Sequence, residues 1–364
     1  MIVNSARAVI DGELKSAVSI EVHDGIITNI GAAHDSPDLT IAGTLLPGFV
    51  DMHCHGGAGF SFSSRNPSEI DSILALHQSH GTTTQLASLV TEPIAELREQ
   101  IKFLTSYVHS GKIAGIHLEG PYLSQEKCGA HNPSLLRAPD QAEIADLLDV
   151  GQGGITMVTI APELPGAIEA IEYLANEGVI VAIGHSAANA QVTKEAIDSG
   201  ATVVTHFYNG LPPLDEQIQN ITSHALLDPS LTLELILDGI HVNEEKAALI
   251  LGLEPRRVAL VTDAMSAAGS IDGKYQIGSL AVTVSGGRAT LDSTGSLAGS
   301  TLTLDRAFER LVNTQKYSLP QAAHSLSTLP ARTLGINYAG EIAIGSVSDF
   351  VEVNNGSFIK THRL

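Results

Sequence analysis

His53 and His55 stand two residues apart at the end of an apolar run, and Gly56 and Gly57 follow at once. In an extended strand, residues two apart point to the same face. Both imidazoles can therefore address one ion while Cys54 turns the other way, and neutral imidazole is the commonest metal ligand. Other β-like runs end in residues of the same chemical kind: His117 and Glu119, His185, His206, Asp238 and His241, and Asp263. Taken singly, each has an ordinary use. His185 and His206 could be buried histidines bonded to backbone, Glu119 a helix-capping acid, and Asp263 half of an ion pair. Together they describe a metal site. Glu119 with His185 and His206 is a carboxylate–His₂ set that leaves one position open. A divalent ion there lowers the pKa of its water from about 16 towards 7. Asp263, outside that set, is free to take the proton and deliver it to a leaving group. His53 and His55 remain for a second ion. Zinc, iron, manganese and cobalt all accept such ligands.

Residues that must converge need elements whose ends converge. After residue 45, β-rich runs alternate with helical patterns, the signature of repeated βα units around a parallel sheet. The runs are Leu45–His55, Thr82–Val90, Ile113–Glu119, Ile155–Ala161, Val179–His185, Ala201–His206, Leu231–Ile240 and Arg257–Asp263. Helix-like stretches such as Ala167–Glu177, Asn189–Ser199 and Asn243–Leu251 separate them, and Gly178, Gly200 and Gly252 mark their ends. Eight such strands predict an α/β fold, a (β/α)₈ barrel of TIM type with its site at the C-terminal strand ends. The alternative is a doubly wound open sheet, but no Gly-x-Gly-x-x-Gly follows any strand. Val18–Val22 and Ile26–Ile30 flank an Asp24-Gly25 turn, and Ile342–Val353 reads as another strand–turn–strand. These segments predict a small β-sandwich-like domain from both termini (1–46 and 336–364) beside the barrel (47–335). Tyr275–Leu291 reads as an inserted hairpin.

The chain has 364 residues, 43% of them hydrophobic, enough for one large α/β domain and a smaller one. No apolar run reaches the 18 or more residues of a membrane span. Polar and charged residues punctuate Met1 to Glu21, unlike a signal peptide, and two cysteines form no disulfide framework. A cytoplasmic location is expected. Forty acidic and twenty basic residues give a net charge of −20, which excludes nucleic acid and anionic membrane as partners.

The motifs PGFVDMHCHGG (47–57), HLEGPYL (117–123), CGAH (128–131), GHS (184–186), THFYNG (205–210), DGIHV (238–242), VTDA (261–264) and LAGS (297–300) occur in that order. In type, order and spacing they resemble the N-acetylglucosamine-6-phosphate deacetylases, a branch of the amidohydrolase superfamily, over essentially the whole chain. The resemblance implies a hydrolase of linear amide bonds that removes acetate from N-acetylglucosamine 6-phosphate. It makes Glu119, His185 and His206 the main metal ligands, with His53 and His55 retained for a second ion, and Asp263 the base that activates water and then protonates the amine. His131 helps polarise the acetyl carbonyl. Asn209, Gly210 and His241 contact sugar and phosphate, while Ala130 and the Leu297-Ala298-Gly299 turn close the pocket. One or two divalent ions per chain, zinc first, and a homodimer are further implications. Related dihydroorotases and hydantoinases place a carboxylated lysine where a bridging ligand is needed; here Glu119 takes that place.

One departure concerns phosphate. The segment after THFYNG usually carries an arginine that binds it, and Gln217 stands about there in this chain. Glutamine cannot supply the charge of a guanidinium–phosphate pair. Lys127 and Arg137 could supply it instead, or be solvated surface cations. Cys128 is a pocket-edge thiol or a small apolar filler. Two rivals follow: a hydrolase of a non-phosphorylated N-acetyl amino sugar or a cyclic amide, and an inactive sugar-binding relative. Glu119 in HLEGP argues against the cyclic amide, and the complete ligand set with Asp263 argues against inactivity.

Overall fold

The computed structural model describes residues 1–364. At its centre eight parallel strands run in chain order: Phe49–Asp51, Thr82–Leu89, Gly115–Glu119, Ile155–Ile160, Ile180–Ile183, Ala201–Val204, Thr232–Ile236 and Val258–Val261. They are rich in Val, Ile and Leu because helices cover the outside and side chains fill the inside, burying both faces. Helices Pro67–Ser79, Gln141–Gly151, Ala190–Asp198, Ile221–Leu227 and Glu244–Leu253 each begin behind an Asn or Asp whose side chain accepts a backbone N–H of the first turn. Those caps fix where each loop from the barrel mouth turns into its helix.

The result is a nearly closed barrel of TIM type. Its seam, between the first and eighth strands, is closed just beyond the strands themselves. Asp263 N–H donates to His53 O at 2.8 Å and His55 N–H to Ala264 O at 2.8 Å. The buried Asp51 carboxylate accepts Thr262 Oγ1–H at 2.6 Å across the same seam.

A separate six-stranded sheet comes from both termini, in the order Ser357–Arg363, Asp349–Asn354, Leu39–Pro47, Ile2–Ile10, Glu13–His23, Ile26–Ala32. It has its own apolar cluster of 11 buried residues, apart from the 70-residue cluster of the barrel. The expected run Leu45–His55 is two strands. Leu39–Pro47 belongs to the terminal sheet, and the barrel strand starts at Phe49. The break falls at Gly48, where an added Cβ would collide with the side chain of Thr83. The C-terminal hairpin lies further on than Ile342–Val353. It turns at Asn355-Gly356, both at positive φ (49° and 80°), the Asn-Gly pair of a tight hairpin turn. The insertion is a three-stranded meander, Gly273–Ile277, Leu280–Ser285 and Arg288–Leu291.

Candidate active site

His53, His185, His206 and Asp263 each stand two residues beyond the last residue of a barrel strand, and Glu119 is the last residue of its own. The chain turns sharply at three of them: φ is +46° at His185, +27° at His206 and +47° at Asp263. Left-handed backbone at a non-glycine residue costs roughly 1–3 kcal/mol and concentrates at functional sites. Here it swings these side chains over the barrel axis. Gly129 and Gly210 then hold the His185 ring between them, since a Cβ at either would lie 2.9 or 3.0 Å from it.

The side chains converge on Glu119. Its Oε1 lies 3.1 Å from His185 Nε2 and 3.0 Å from His206 Nε2, which are 3.1 Å from each other. Its Oε2 lies 3.1 Å from His55 Nε2 and 3.6 Å from His53 Nε2, which are 3.0 Å apart. Asp263 Oδ1 completes that second group, 3.3 Å from His55 and 3.5 Å from His53. One carboxylate therefore stands between two clusters, an oxygen to each.

The far side of each ring shows which nitrogen carries the proton. Nδ1 of His185 faces Lys127 O (2.7 Å), that of His206 faces Asn209 O (3.1 Å) and that of His55 faces Ser88 O (3.2 Å). His53 Nδ1 faces the buried Glu234 carboxylate at 3.0 Å. All four neighbours only accept, so Nδ1 carries a proton in each ring and Nε2 is the inward-facing atom. Burial is outweighed by the carboxylates opposite, which raise His53, His55 and His185, so that without a metal Nε2 takes up a proton where a cation would otherwise sit. His131 is the reverse. Its Nδ1 meets Thr91 Oγ1 (2.9 Å) and the Thr91 N–H (3.4 Å), so its proton sits on Nε2, 3.3 Å from Glu119 Oε2. Burial pushes its pKa down to about 4, which keeps it neutral. His131 is thus a donor beside the clusters. His117 lies below them, bonded to Ser88 Oγ and Thr159 Oγ1.

Above this floor opens a cavity of about 240 Å³. Glu119, His131, His185, His206 and Asp263 form its base, while Ala130, Asn209, Gly210, His241, Leu297 and Gly299 line its sides. His53 and His55 lie deeper, behind Glu119. Ala298 is not part of the wall. It is fully buried in the apolar cluster of the inserted meander, to which its N–H is tied by a 3.2 Å bond to Ala289 O. Gly129, Ser296 and Ile277 also line the cavity, and Ile277 comes from the meander, where nothing in its sequence marks it. His241 is held by Asp238, Nδ1 to Oδ2 at 2.7 Å. No lysine or arginine lines the cavity. Gln217 sits on an exposed loop, while Lys127 pairs with Glu126 and Arg137 with Glu143.

Residues 44–361 match the Amidohydrolase family. The chain belongs to that family. An N-acetylgalactosamine-6-phosphate deacetylase of Escherichia coli O157:H7 is 34% identical over 347 residues, covering 94% of this chain and 92% of the relative. An N-acetylglucosamine-6-phosphate deacetylase of Bacillus subtilis (strain 168) is 31% identical, covering 98% and 90%. Among solved structures, the Mycobacterium smegmatis N-acetyl-D-glucosamine-6-phosphate deacetylase aligns with a TM-score of 0.96 at 38% identity, covering 100% of this chain and 97% of that one. That structure is an aspartate-to-alanine variant in complex with N-acetyl-D-glucosamine-6-phosphate.

Amidohydrolases are metal-dependent hydrolases, and the donor atoms of this one fit a metal. Nε2 atoms 3.0–3.1 Å apart face each other as two lone pairs or as two N–H groups, and a cation between them relieves either repulsion. Ligands about 2.0–2.1 Å from a tetrahedral zinc stand about 3.3 Å apart, close to what these pairs show. Asp51, Glu119, Glu234 and Asp263 are all buried, and no lysine or arginine is. Burial alone would raise the Glu119 carboxyl, but the charge of a protonated His53 and then His131, whose Nε2–H faces it, hold it well below its ordinary value. For Asp263 burial is likewise outweighed, by His53 and then His55, and the carboxyl stays ionised at neutral pH. Buried carboxylates of this kind need a cation or neutralise. No helix of this amidohydrolase is long and apolar enough to cross a membrane.

Proposed function

We propose that the chain removes acetate from an N-acetylhexosamine 6-phosphate, with N-acetylglucosamine 6-phosphate as its first substrate. The observation that carries this reading is the cavity floor, where Glu119 joins two imidazole clusters with Asp263 and the Nε2–H of His131 facing the same space. A divalent ion held by Glu119, His185 and His206, zinc in the first instance, supplies a Lewis acid and a water of lowered pKa. Asp263 takes a proton from the attacking water as its oxygen adds to the acetyl carbon. The carbon–nitrogen bond then breaks, and Asp263 returns the proton to the amine. His131 donates to the acetyl oxygen while the negative charge develops there. Asn209, Gly210 and His241 hold the sugar and its phosphate, closed in by Ala130, Leu297 and Gly299. His53 and His55 hold a second ion, which the density of buried carboxylate supports.

The named relatives support the substrate class and differ in the hexosamine. A second reading, a non-phosphorylated N-acetyl amino sugar, is favoured by one observation: no lysine or arginine lines the cavity. Acetate release measured as kcat/KM on N-acetylglucosamine, its 6-phosphate and N-acetylgalactosamine 6-phosphate decides. A large preference for a phosphate ester supports the first reading, equal rates move the assignment to the second, and no turnover with any of them refutes both. Stripping metal with a chelator abolishes turnover, and added divalent ion restores it. A homodimer, a cytoplasmic location and a domain division at 46/47 and 335/336 complete the proposal; light scattering tests the first.

A further inference from the structure

Glu234 is the middle residue of the seventh barrel strand, Thr232–Ile236, in a leucine- and isoleucine-rich stretch, with no solvent exposure. We propose that Glu234 is a positioning residue that turns the His53–His55 pair into an ion site and so sets the number of metals per chain. This rests on the reading of the clusters as metal centres.

Three observations carry it. First, His53 alone among the inward-facing imidazoles is held by a carboxylate; His55, His185 and His206 lean on backbone carbonyls. A carboxylate on the outer nitrogen fixes the ring and makes the inner nitrogen a stronger donor, and losing such a partner typically lowers metal affinity 10–100-fold. Second, His53 is the ring farthest from Glu119, at 3.6 Å against 3.0–3.1 Å for His55, His185 and His206. Its contact with Glu119 is the longest of the four, and the shorter carboxylate contact it makes is the one to Glu234, at 3.0 Å. Third, Glu234 Oε1 is buried without a hydrogen-bond partner, although Oε2 accepts both His53 Nδ1–H and the His206 N–H. A packing role at this position calls for leucine, and a half-partnered buried carboxylate is costly unless a cation answers its charge. The same oxygen touches one member of each cluster, so occupancy of the first pair also steadies the sharp turn at His206.

The test is Glu234→Gln, which preserves volume and an acceptor oxygen but removes the charge. A strap that merely holds His206 N–H survives it. Purified holoenzyme is analysed for metal per chain, the ions are located by anomalous scattering, and melting is recorded to confirm folding. The expected result is two ions in the wild type and one in the variant. The ion on Glu119, His185 and His206 stays, and the one on His53 and His55 is lost or released to chelator 10–100-fold more readily. Two ions with unchanged chelator resistance in Glu234→Gln overturn the role of Glu234 and leave the metal reading standing. A wild type with one ion, on Glu119, His185 and His206, does the same, whereas a wild type with none overturns the metal reading itself. If the variant does not fold, wild-type crystals soaked in zinc decide. An ion on His53 Nε2 with Nδ1 still on Glu234 supports the proposal, and an ion there with the ring turned away from Glu234 refutes it.

Discussion

Asp263→Asn separates proton transfer from everything else at the cavity floor. Asparagine is nearly isosteric with aspartate and is among the residues best tolerated at positive φ, so the turn at +47° survives. The seam bond from residue 263 N–H to His53 O is a backbone bond and survives too. What disappears is a carboxylate that His53 and His55 keep ionised at neutral pH. Removing a well-placed base of this kind costs about 10²–10⁴ in rate, which is about 2.7–5.4 kcal/mol of barrier at 1.36 kcal/mol per decade. The proposed ligands Glu119, His185 and His206 are untouched, so the variant is expected to retain the ion assigned to them, and KM to stay within about threefold because the cavity wall is unchanged. Acetate release with N-acetylglucosamine 6-phosphate, beside metal content and melting temperature, reads all three. A folded, metal-bearing Asn variant with kcat within tenfold of wild type would remove Asp263 from proton transfer.

Thr262→Val deletes the hydroxyl that donates to the buried Asp51 carboxylate at 2.6 Å, a bond to a charged group worth about 1.5–3 kcal/mol. The melting temperature falls by several degrees while Thr262→Ser stays near wild type; no fall for Val would show that the seam does not depend on this bond. Gly210→Ala places a Cβ 3.0 Å from His185 Nδ1 at φ +63°. It lowers metal retention at least tenfold by chelator competition, and unchanged retention would mean the His185 ring has room to move. His80 pairs with Asp305, whose hydrogen bond raises the histidine pKa. The stabilisation is full below the free histidine value of about 6.5 and fades as pH rises through the raised folded value. With His80 about a third exposed, it amounts to at most about 1 kcal/mol. The melting gap between wild type and Asp305→Asn is therefore wider at pH 6 than at pH 9.5, and an equal gap contradicts the pairing.

Much of the barrel was legible because its strands are buried on both faces and end in chemistry. Glu119, His185, His206 and Asp263 stand out as polar residues just past apolar runs, and the fold brings them together. The sequence predicts one strand where there are two because the end of Leu39–Pro47 and Phe49–Asp51 are near-contiguous apolar sequence. What divides them is the close approach of Thr83, which leaves no room for a Cβ at Gly48 and lies outside local pattern. Glu234 was missed for the opposite reason: one acid in an apolar strand looks like the outward residue of a half-buried strand, and only the barrel turns it inward. The two tautomer classes, His131 against the four inward-facing rings, depend on the partner at the far nitrogen, and those partners are mostly backbone atoms. The motif predicts Ala298 in the wall with its neighbours, whereas its N–H bond to Ala289 O and its small apolar side chain hold it in the meander.

Glu119 presents one oxygen to each cluster, and both oxygens belong to a side chain supplied by translation. A carboxylated lysine in the same place is a carbamate that must first capture dissolved carbon dioxide and that falls apart in acid. With a glutamate there, assembly of the centre needs no dissolved carbon dioxide. Loading with ion is expected to proceed equally well in bicarbonate-free buffer, since the carboxylate between the clusters is already in place when the chain leaves the ribosome.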